Sequence, residues 1–277
     1  MPVLSIILPV WNNPNSVVRA VNSVVCSKGL PFLARYSNIP VELILINDGS
    51  NHHRIKSLLR DINTATRDGR ANPFLTCKIL EVGLNLGPGF ARNLGISNSD
   101  AKYYCFLDSD ELYFRYQIAD AMKTIIDAEA DILMSPYDAV LHKAFTNKDK
   151  APDIISEWTI NPLELEEFRE DERKYLSTHI YRGLLGTFVS ASCVNRCLEK
   201  FGEIFPTSIV RYEESVFLRR VASVANFFTY IPRSAGVSHM YLGFSQSIIN
   251  RQFNAIGTEL NTTHPDGNVG QYLDITN

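Results

Sequence analysis

A chain of 277 residues with 45% hydrophobic content can bury a full core, as one large domain or as a domain with a smaller appendage. Its formal net charge of -3 and 21% charged residues exclude both a protein that coats nucleic acid and an acidic disordered one. Five cysteines (Cys26, Cys77, Cys105, Cys193 and Cys197) form no CxxC pair, no basic-then-apolar leader opens the chain, and no unbroken apolar run approaches the roughly 20 residues of a spanning helix, so a soluble cytoplasmic protein with free thiols is expected.

The first 135 residues alternate strand-like and helix-like segments with short connections. Residues 4–8 (LSIIL) form a compact apolar run ended by Pro9, as a buried parallel strand would. Asn13 and Pro14 then read as an N-cap and first helical turn, with Val17, Val18, Val21, Val24 and Val25 recurring on one face. A second strand over 41–46 (VELILI) stops at "NDGS". A third over 77–82 leads through Gly83 to Gly89 into a helix starting near Phe90. A fourth over 103–107 ends at two aspartates, a helix carrying Ile118, Ala119, Met122, Ile125 and Ile126 follows, and a short fifth strand covers 132–135. Strands alternating with helices predict a mainly parallel sheet covered on both faces, with ligands at the carboxyl ends of the strands. Polar residues gather at those ends: Trp11 and Asn12, Asp48 and Ser50, Asn85 to Asn93, and Asp108 to Asp110.

From about Asp138 the rhythm breaks. "HKAFTNKDKAPD" is polar and irregular, and "NPLELEEFREDERKY" reads as an acidic, solvated helix. Residues 183–191 are small and apolar, 194–201 read as a short helix, "VRYEESVFLRRV" opens a helix with paired glutamates, and 227–231 is strand-like. No internal repeat or low-complexity linker is present, so the second half is expected to elaborate the same domain.

The segment "YCFLDSD" carries the sharpest chemical question. A buried apolar run meets Asp108 and Asp110 with only Ser109 between, and carboxylates two residues apart at a strand end point the same way. They fit a divalent-cation clamp; they fit a solvated turn with an N-cap as well. "GPGFARN" follows the third strand and has Arg92 where a dinucleotide fingerprint needs its third glycine, so its glycines read as a tight turn feeding a helix. His52 and His53 sit in a loop and are expected to be solvated. Cys193 and Cys197 lack a nearby third ligand and are expected to pack rather than hold zinc.

"SIILPVWNNPNSVVRAVNSV", "ELILINDGS", "NLGPGFARNLGI" and "YYCFLDSDE" occur in the order seen at the start of the family-2 glycosyltransferases, "RYEESVFLRR" resembles that family's Glu-Asp-x-x-x-x-x-Arg segment, and "SAGVSHMYLGFSQS" resembles the stretch after its last core strand. The resemblance spans residues 3–247. It implies an α/β GT-A fold, with a domain over 1–240 (a nucleotide-sugar half, 1–135, and an acceptor and catalytic half, 136–240) and an extension over 241–277. It also implies transfer of a sugar from a UDP-sugar to an acceptor hydroxyl, with inversion and with Mn²⁺ or Mg²⁺. The family's metal-binding Asp-x-Asp falls on Asp108, Ser109 and Asp110, with His239 as a third protein ligand. Its nucleotide contacts fall on Pro9, Val10, Trp11, Asn12, Asp48, Asn85 and Arg92, together with Asp108 and Ser109; Arg92 is expected beside Asp48, fixing the carboxylate that reads the base. The catalytic base falls on Glu214, but Glu213-Glu214 stands where the family has Glu-Asp, so both are candidates. By analogy the acceptor is a saccharide or a lipid-linked saccharide of a surface polysaccharide, met at the cytoplasmic membrane face. Two rival classes make different demands. A nucleotidyltransferase needs a glycine-rich basic loop after the first strand, which "PVWNNPN" lacks, and a non-catalytic nucleotide-sugar-binding subunit has no use for intact "DSD" and "EE".

Overall fold

The computed structural model describes residues 2–12, 14–50, 53–67, 74–143, 154–160, 183–208 and 213–242. A seven-stranded sheet runs through the molecule in the order β10-β6-β9-β4-β1-β2-β3. Its strands are β1 (Leu4–Val10), β2 (Val41–Asp48), β3 (Leu75–Val82), β4 (Tyr103–Phe106), β6 (Ile132–Met134), β9 (Phe188–Ser190) and β10 (Phe228–Tyr230). β1 pairs in parallel with β2 and β4, and β2 with β3, so four carboxyl ends open on one edge.

Alternation along the central strands supplies two cores. Leu4, Ile6, Leu8 and Val10 of β1 pack with Val17, Val21 and Val24 of α1 (Pro14–Val25) and with Ile118, Met122 and Ile125 of α5 (Gln117–Asp127). Ile7, Ile44 and Ile46 face the other way, toward Ala91 of α4 (Pro88–Ser97), Cys193 and Cys197 of α6 (Ala191–Phe201), and Phe217 and Val221 of α7 (Glu213–Ala222). Helices on both faces explain why these strands are apolar throughout rather than alternating. Val18, expected on the apolar face of α1, is exposed instead. Both helical cysteines are buried and unpaired, as packing residues.

The sheet departs from the sequence reading at β9, which enters antiparallel between β4 and β6. Through it the chain returns from the second half into the middle of the first, and Ser190 then caps α6 by accepting from the Cys193 amide at 3.1 Å. A second sheet was not anticipated at all: β5 (Glu111–Tyr113), β11 (Gly236–Leu242), β7 (Tyr137–Lys143) and β8 (Ile154–Ile160), in that order. The acidic segment read as a helix over 161–175 and most of the extension over 241–277 lie outside the described residues.

Residues 16–36 are long and apolar enough by composition to cross a membrane, with a mean hydropathy of 1.2. They form two elements, however, α1 and α2 (Leu30–Tyr36), and Val17, Ala20, Val21, Val24, Leu30 and Leu33 are buried in the core. One face of each helix packs into the protein interior, as in an amphipathic helix of a core rather than a membrane span.

Candidate active site

At the carboxyl edge, Ser50 ties the ends of β1 and β2. Its hydroxyl donates to the Val10 carbonyl at 3.3 Å and accepts from the Asn12 amide at 3.1 Å, while its own amide donates to Asn47 Oδ1 at 3.1 Å. Asn12 adopts a left-handed φ of 46°, a conformation that asparagine tolerates well, and this sharp turn leaves Trp11 exposed beside it. Pro9 is half-buried. Val10, expected at the nucleotide, turns its side chain into the core and offers only its backbone.

Asp48, at the end of β2, accepts from the backbone amides of Leu86 and Gly87, one per carboxylate oxygen, both at 2.9 Å. Asn85 Oδ1 accepts a second bond from Gly87 at 3.1 Å. Gly87 has φ 91°, which a side chain would strain, so this glycine lets the loop fold its amide onto Asp48 just before α4 starts. Burial pushes the Asp48 carboxyl up, against the pull of the two amides. The expected Asp48–Arg92 partnership is not formed. Two closer amide donors already satisfy Asp48, and the arginine turns elsewhere.

Arg92 lies on α4 with 1% of its side chain exposed. It donates Nη1 to Glu213 Oε1 at 2.6 Å, and Nη2 to Asp108 Oδ1 at 2.6 Å and to Glu214 Oε1 at 3.2 Å. One guanidinium thus joins α4, the end of β4 and the first turn of α7. Its plane lies over Phe205 at 5.3 Å, which stacks on Phe217 at 4.2 Å while Phe106 meets both edge-on. Asn93, the next residue, holds Phe205 by both backbone groups, at 2.8 and 2.9 Å. Close approach of α4 to this segment needs Gly89, where an added Cβ would stand 2.7 Å from the Pro206 carbonyl. Burial alone would lower the Arg92 pKa, but Asp108, Glu214 and Glu213 hold it well above its usual value, so the cation is permanent.

The two glutamates differ. Glu213 is 2% exposed and Glu214 21%, with Asp108 at 33%. Burial, then the charge of Glu214, pushes Glu213 up against the pull of Arg92. Sequence reasoning missed Glu111. Its Oε2 accepts from the Asp108 amide at 3.0 Å while its own amide donates to the Asp108 carbonyl at 3.0 Å, and burial followed by Asp108 pushes its carboxyl well up. The acid three residues after Asp108 has capping-box spacing, a signal that could have marked it. Phe205, the ring under Arg92, had no sequence signal, since only the fold brings it there.

Asp110 is raised to about 7, first by burial and then by Asp108. Three carboxylates, Asp108, Glu213 and Glu214, thus meet one buried guanidinium, with Glu111 bonded to the Asp108 amide and Asp110 feeling the charge of Asp108. Among the described residues no three His, Cys, Asp or Glu side chains are grouped to hold an ion by themselves. The donor set nonetheless fits a divalent cation of the Mg²⁺ or Mn²⁺ kind, which takes one or two carboxylates and completes its shell with phosphate oxygens and water. Asp108 and Asp110 would supply the carboxylates, and a cation would relieve the repulsion between them. Ser109 is half-buried between them. His239 sits in β11, its backbone paired with Val140, and its side chain lies outside the described portion.

Among known proteins, the family model described as "Glycosyl transferase family 2" matches residues 5–187. An uncharacterized glycosyltransferase of Rickettsia bellii is 33% identical over 120 residues, covering 43% of this chain and 14% of that protein. One of Haemophilus influenzae is 35% identical over 111 residues, covering 40% and 37%. The chain thus matches only a minor part of the length of these relatives. Of solved structures, S. aureus TarS residues 1–349 superposes with a TM-score of 0.61 at 17% identity, covering 95% of this chain and 66% of that one. The Pyrobaculum calidifontis mannosyltransferase PcManGT, in complex with GDP-Man and Mn²⁺, superposes at 0.53 and 14% identity, covering 95% and 61%. These likenesses show the GT-A fold. With the family model matching well over half of its length, the chain belongs to glycosyl transferase family 2.

Proposed function

We propose that the protein transfers a hexosyl group from a UDP-sugar to an acceptor hydroxyl with inversion, with Glu214 as general base and a divalent cation at Asp108 and Asp110. The observation that carries this reading is the division of labour between the two glutamates. Arg92 and burial fix Glu213, whereas Glu214 keeps the longer contact and the greater access to solvent, beside the Asp-Ser-Asp carboxylates. An inverting displacement needs a carboxylate on the face of the sugar opposite the leaving group. Glu214 takes the proton of the acceptor hydroxyl as that oxygen bonds to the anomeric carbon, and the bond from that carbon to the diphosphate breaks, releasing UDP. A bound divalent cation would neutralise the charge gathering on the departing diphosphate.

Trp11 offers an exposed aromatic face for the base, and Leu84 and Leu86 are exposed on the loop that Asp48 holds. TarS, similar in fold, has been solved with UDP and with UDP-GlcNAc, which makes UDP one of the nucleotides this fold accepts, beside the GDP of PcManGT. A saccharide or lipid-linked saccharide at the cytoplasmic membrane face, in surface polysaccharide synthesis, fits as acceptor, and residues 1–240 act as the transferase domain. The test is thermal unfolding with UDP-, GDP-, dTDP- and CMP-sugars, with and without Mn²⁺. Ligand at about 100 times its Kd adds about 2.7 kcal/mol. At roughly 2–4 °C per kcal/mol, UDP-sugars with Mn²⁺ should raise the midpoint by about 5–10 °C. No shift with any nucleotide-sugar would contradict the reading, and a shift with GDP-sugars alone would reassign the base.

A further inference from the structure

Outside the site, two segments tied to one another expose a set of aromatic and basic side chains that the transfer reaction does not use. On α2, Leu30 and Leu33 face the core while Phe32 and Tyr36 point outward, Tyr36 78% exposed, with ring centroids 5.4 Å apart. The turn between β5 and α5 exposes Phe114, Arg115 and Tyr116 in succession. Two bonds fasten these segments together: the Ser27 hydroxyl and the Gly29 amide both donate to the Arg115 carbonyl, at 2.9 and 3.3 Å. Singly exposed apolar residues are ordinary, but four aromatics on two joined segments are not.

The charge of this surface is one-sided. Residues 1–41 contain Arg19, Lys28 and Arg35 but no Asp or Glu, in a chain whose net charge is -3. Lys28, Arg35 and Arg115 are all exposed, each within four residues in the chain of one of these aromatics, with Arg35 also lying over the Phe74 ring at 5.1 Å. Asp120, on the neighbouring turn of α5, is tied to Arg233 at 3.0 Å, and the strand leading from Arg233 is joined to Phe114 through its amide bond to the Ala235 carbonyl at 2.9 Å.

We infer that this surface docks the protein on an anionic lipid bilayer. Aromatic rings with one polar end settle at the headgroup level, and basic side chains near an anionic leaflet add attraction of about 1 kcal/mol each. Placement supports the same partner. Phe114 is four residue steps along the chain from Asp110, a length that reaches at most about 14 Å. A bilayer touching Phe114 therefore lies within reach of the catalytic carboxylates, as an acceptor carried on a lipid would require. The inference rests on the proposed transfer reaction for this purpose, though not for the binding itself.

The test is flotation of the full chain with vesicles of phosphatidylglycerol and phosphatidylcholine, against vesicles of phosphatidylcholine alone. Two double variants are compared, Phe32→Ser with Tyr36→Ser, and Lys28→Glu with Arg115→Glu; all four side chains are exposed, and unchanged unfolding midpoints confirm folding. The protein should float with the anionic vesicles only, and raising the salt from about 0.1 M to about 1 M should release it as the screening length falls from about 10 to 3 Å. Each double variant should bind at least about tenfold more weakly while UDP affinity by calorimetry stays unchanged. Wild-type protein that stays with the soluble fraction, or variants that float as well as wild type, would overturn the inference. So would a dimer in solution that both variants dissociate without any change in flotation, since the surface would then belong to a second copy. Wild-type protein that floats but binds no nucleotide would uphold this surface and contradict the transfer reaction instead.

Discussion

Replacing Arg92 by methionine tests the electrostatic centre of the fold, because this side chain holds Asp108, Glu213 and Glu214 from three different elements at 2.6, 2.6 and 3.2 Å. With 1% of the arginine and 2% of Glu213 exposed, water cannot replace the lost partner. Breaking a buried pair from one side costs about 3–5 kcal/mol, because it leaves a charge buried alone. The change also removes the cation over Phe205, worth about 0.5–2 kcal/mol, while methionine restores some packing against that ring. At roughly 2–4 °C per kcal/mol the unfolding midpoint should fall by about 6–20 °C. The loss has a pH signature. Without Arg92, burial and Glu214 remain to push Glu213 above the roughly 4.3 of an unfolded glutamate, so the variant loses stability as pH rises through that range. Circular dichroism melts of both proteins should show a gap that widens from about pH 5 to about pH 8. A midpoint within about 2 °C of wild type at the higher pH, or a gap that narrows as pH rises, would refute the reasoning.

Asp110→Ala should abolish the Mn²⁺-dependent part of UDP binding in calorimetry while leaving the midpoint without metal equal or higher, since it removes a carboxyl whose pKa is raised to about 7 by burial and Asp108; unchanged affinity would contradict the cation site. Asp48→Ala frees the Leu86 and Gly87 amides, so it should cost on the order of 2 kcal/mol and weaken UDP binding, read by denaturant melts and calorimetry; native stability would show that the loop is held otherwise. Asp131 is buried, which would raise its carboxyl, yet the Asn226 amide, the Ser190 hydroxyl and Arg196 outweigh burial and lower it. That stabilisation is present above the unfolded value of about 3.9 and is lost as pH falls through the lower folded value. Asp131→Asn should therefore cost on the order of 1–2 kcal/mol in melts near neutrality, with the difference vanishing below about pH 3; a constant difference at all pH would contradict the assignment.

The legible part of the fold was the part whose pattern is local. β1 to β4 and α1, α4 and α5 follow one another with short connections, and their apolar runs or faces mark them directly. β9 has only three residues and gains its place by antiparallel pairing with two strands far away in the chain, so periodicity had nothing to register. The same holds for the second sheet, whose β5 and β11 lie more than 120 residues apart. At the site, strand ends and the paired acids could be read because polar residues interrupt buried runs. What they touch could not. Arg92 was matched to Asp48 by a shared edge, while its partners Glu213 and Glu214 lie 121 and 122 residues away and are delivered by α7. Glu111 was hidden beside stronger neighbours, and the difference in burial between Glu213 and Glu214 depends on packing that helical spacing cannot resolve.

UDP release with the preferred sugar donor and Mn²⁺, measured for Glu213→Gln and Glu214→Gln at saturating donor, tests the assignment of the base most directly. Glu214→Gln should keep donor affinity but lower turnover by roughly 10²- to 10⁴-fold, the usual worth of a positioned general base. Glu213→Gln should instead lower the unfolding midpoint, because it weakens the 2.6 Å pair with Arg92, and should retain most of the turnover of the folded fraction. Loss of turnover in Glu213→Gln with near-native turnover in Glu214→Gln would contradict the account.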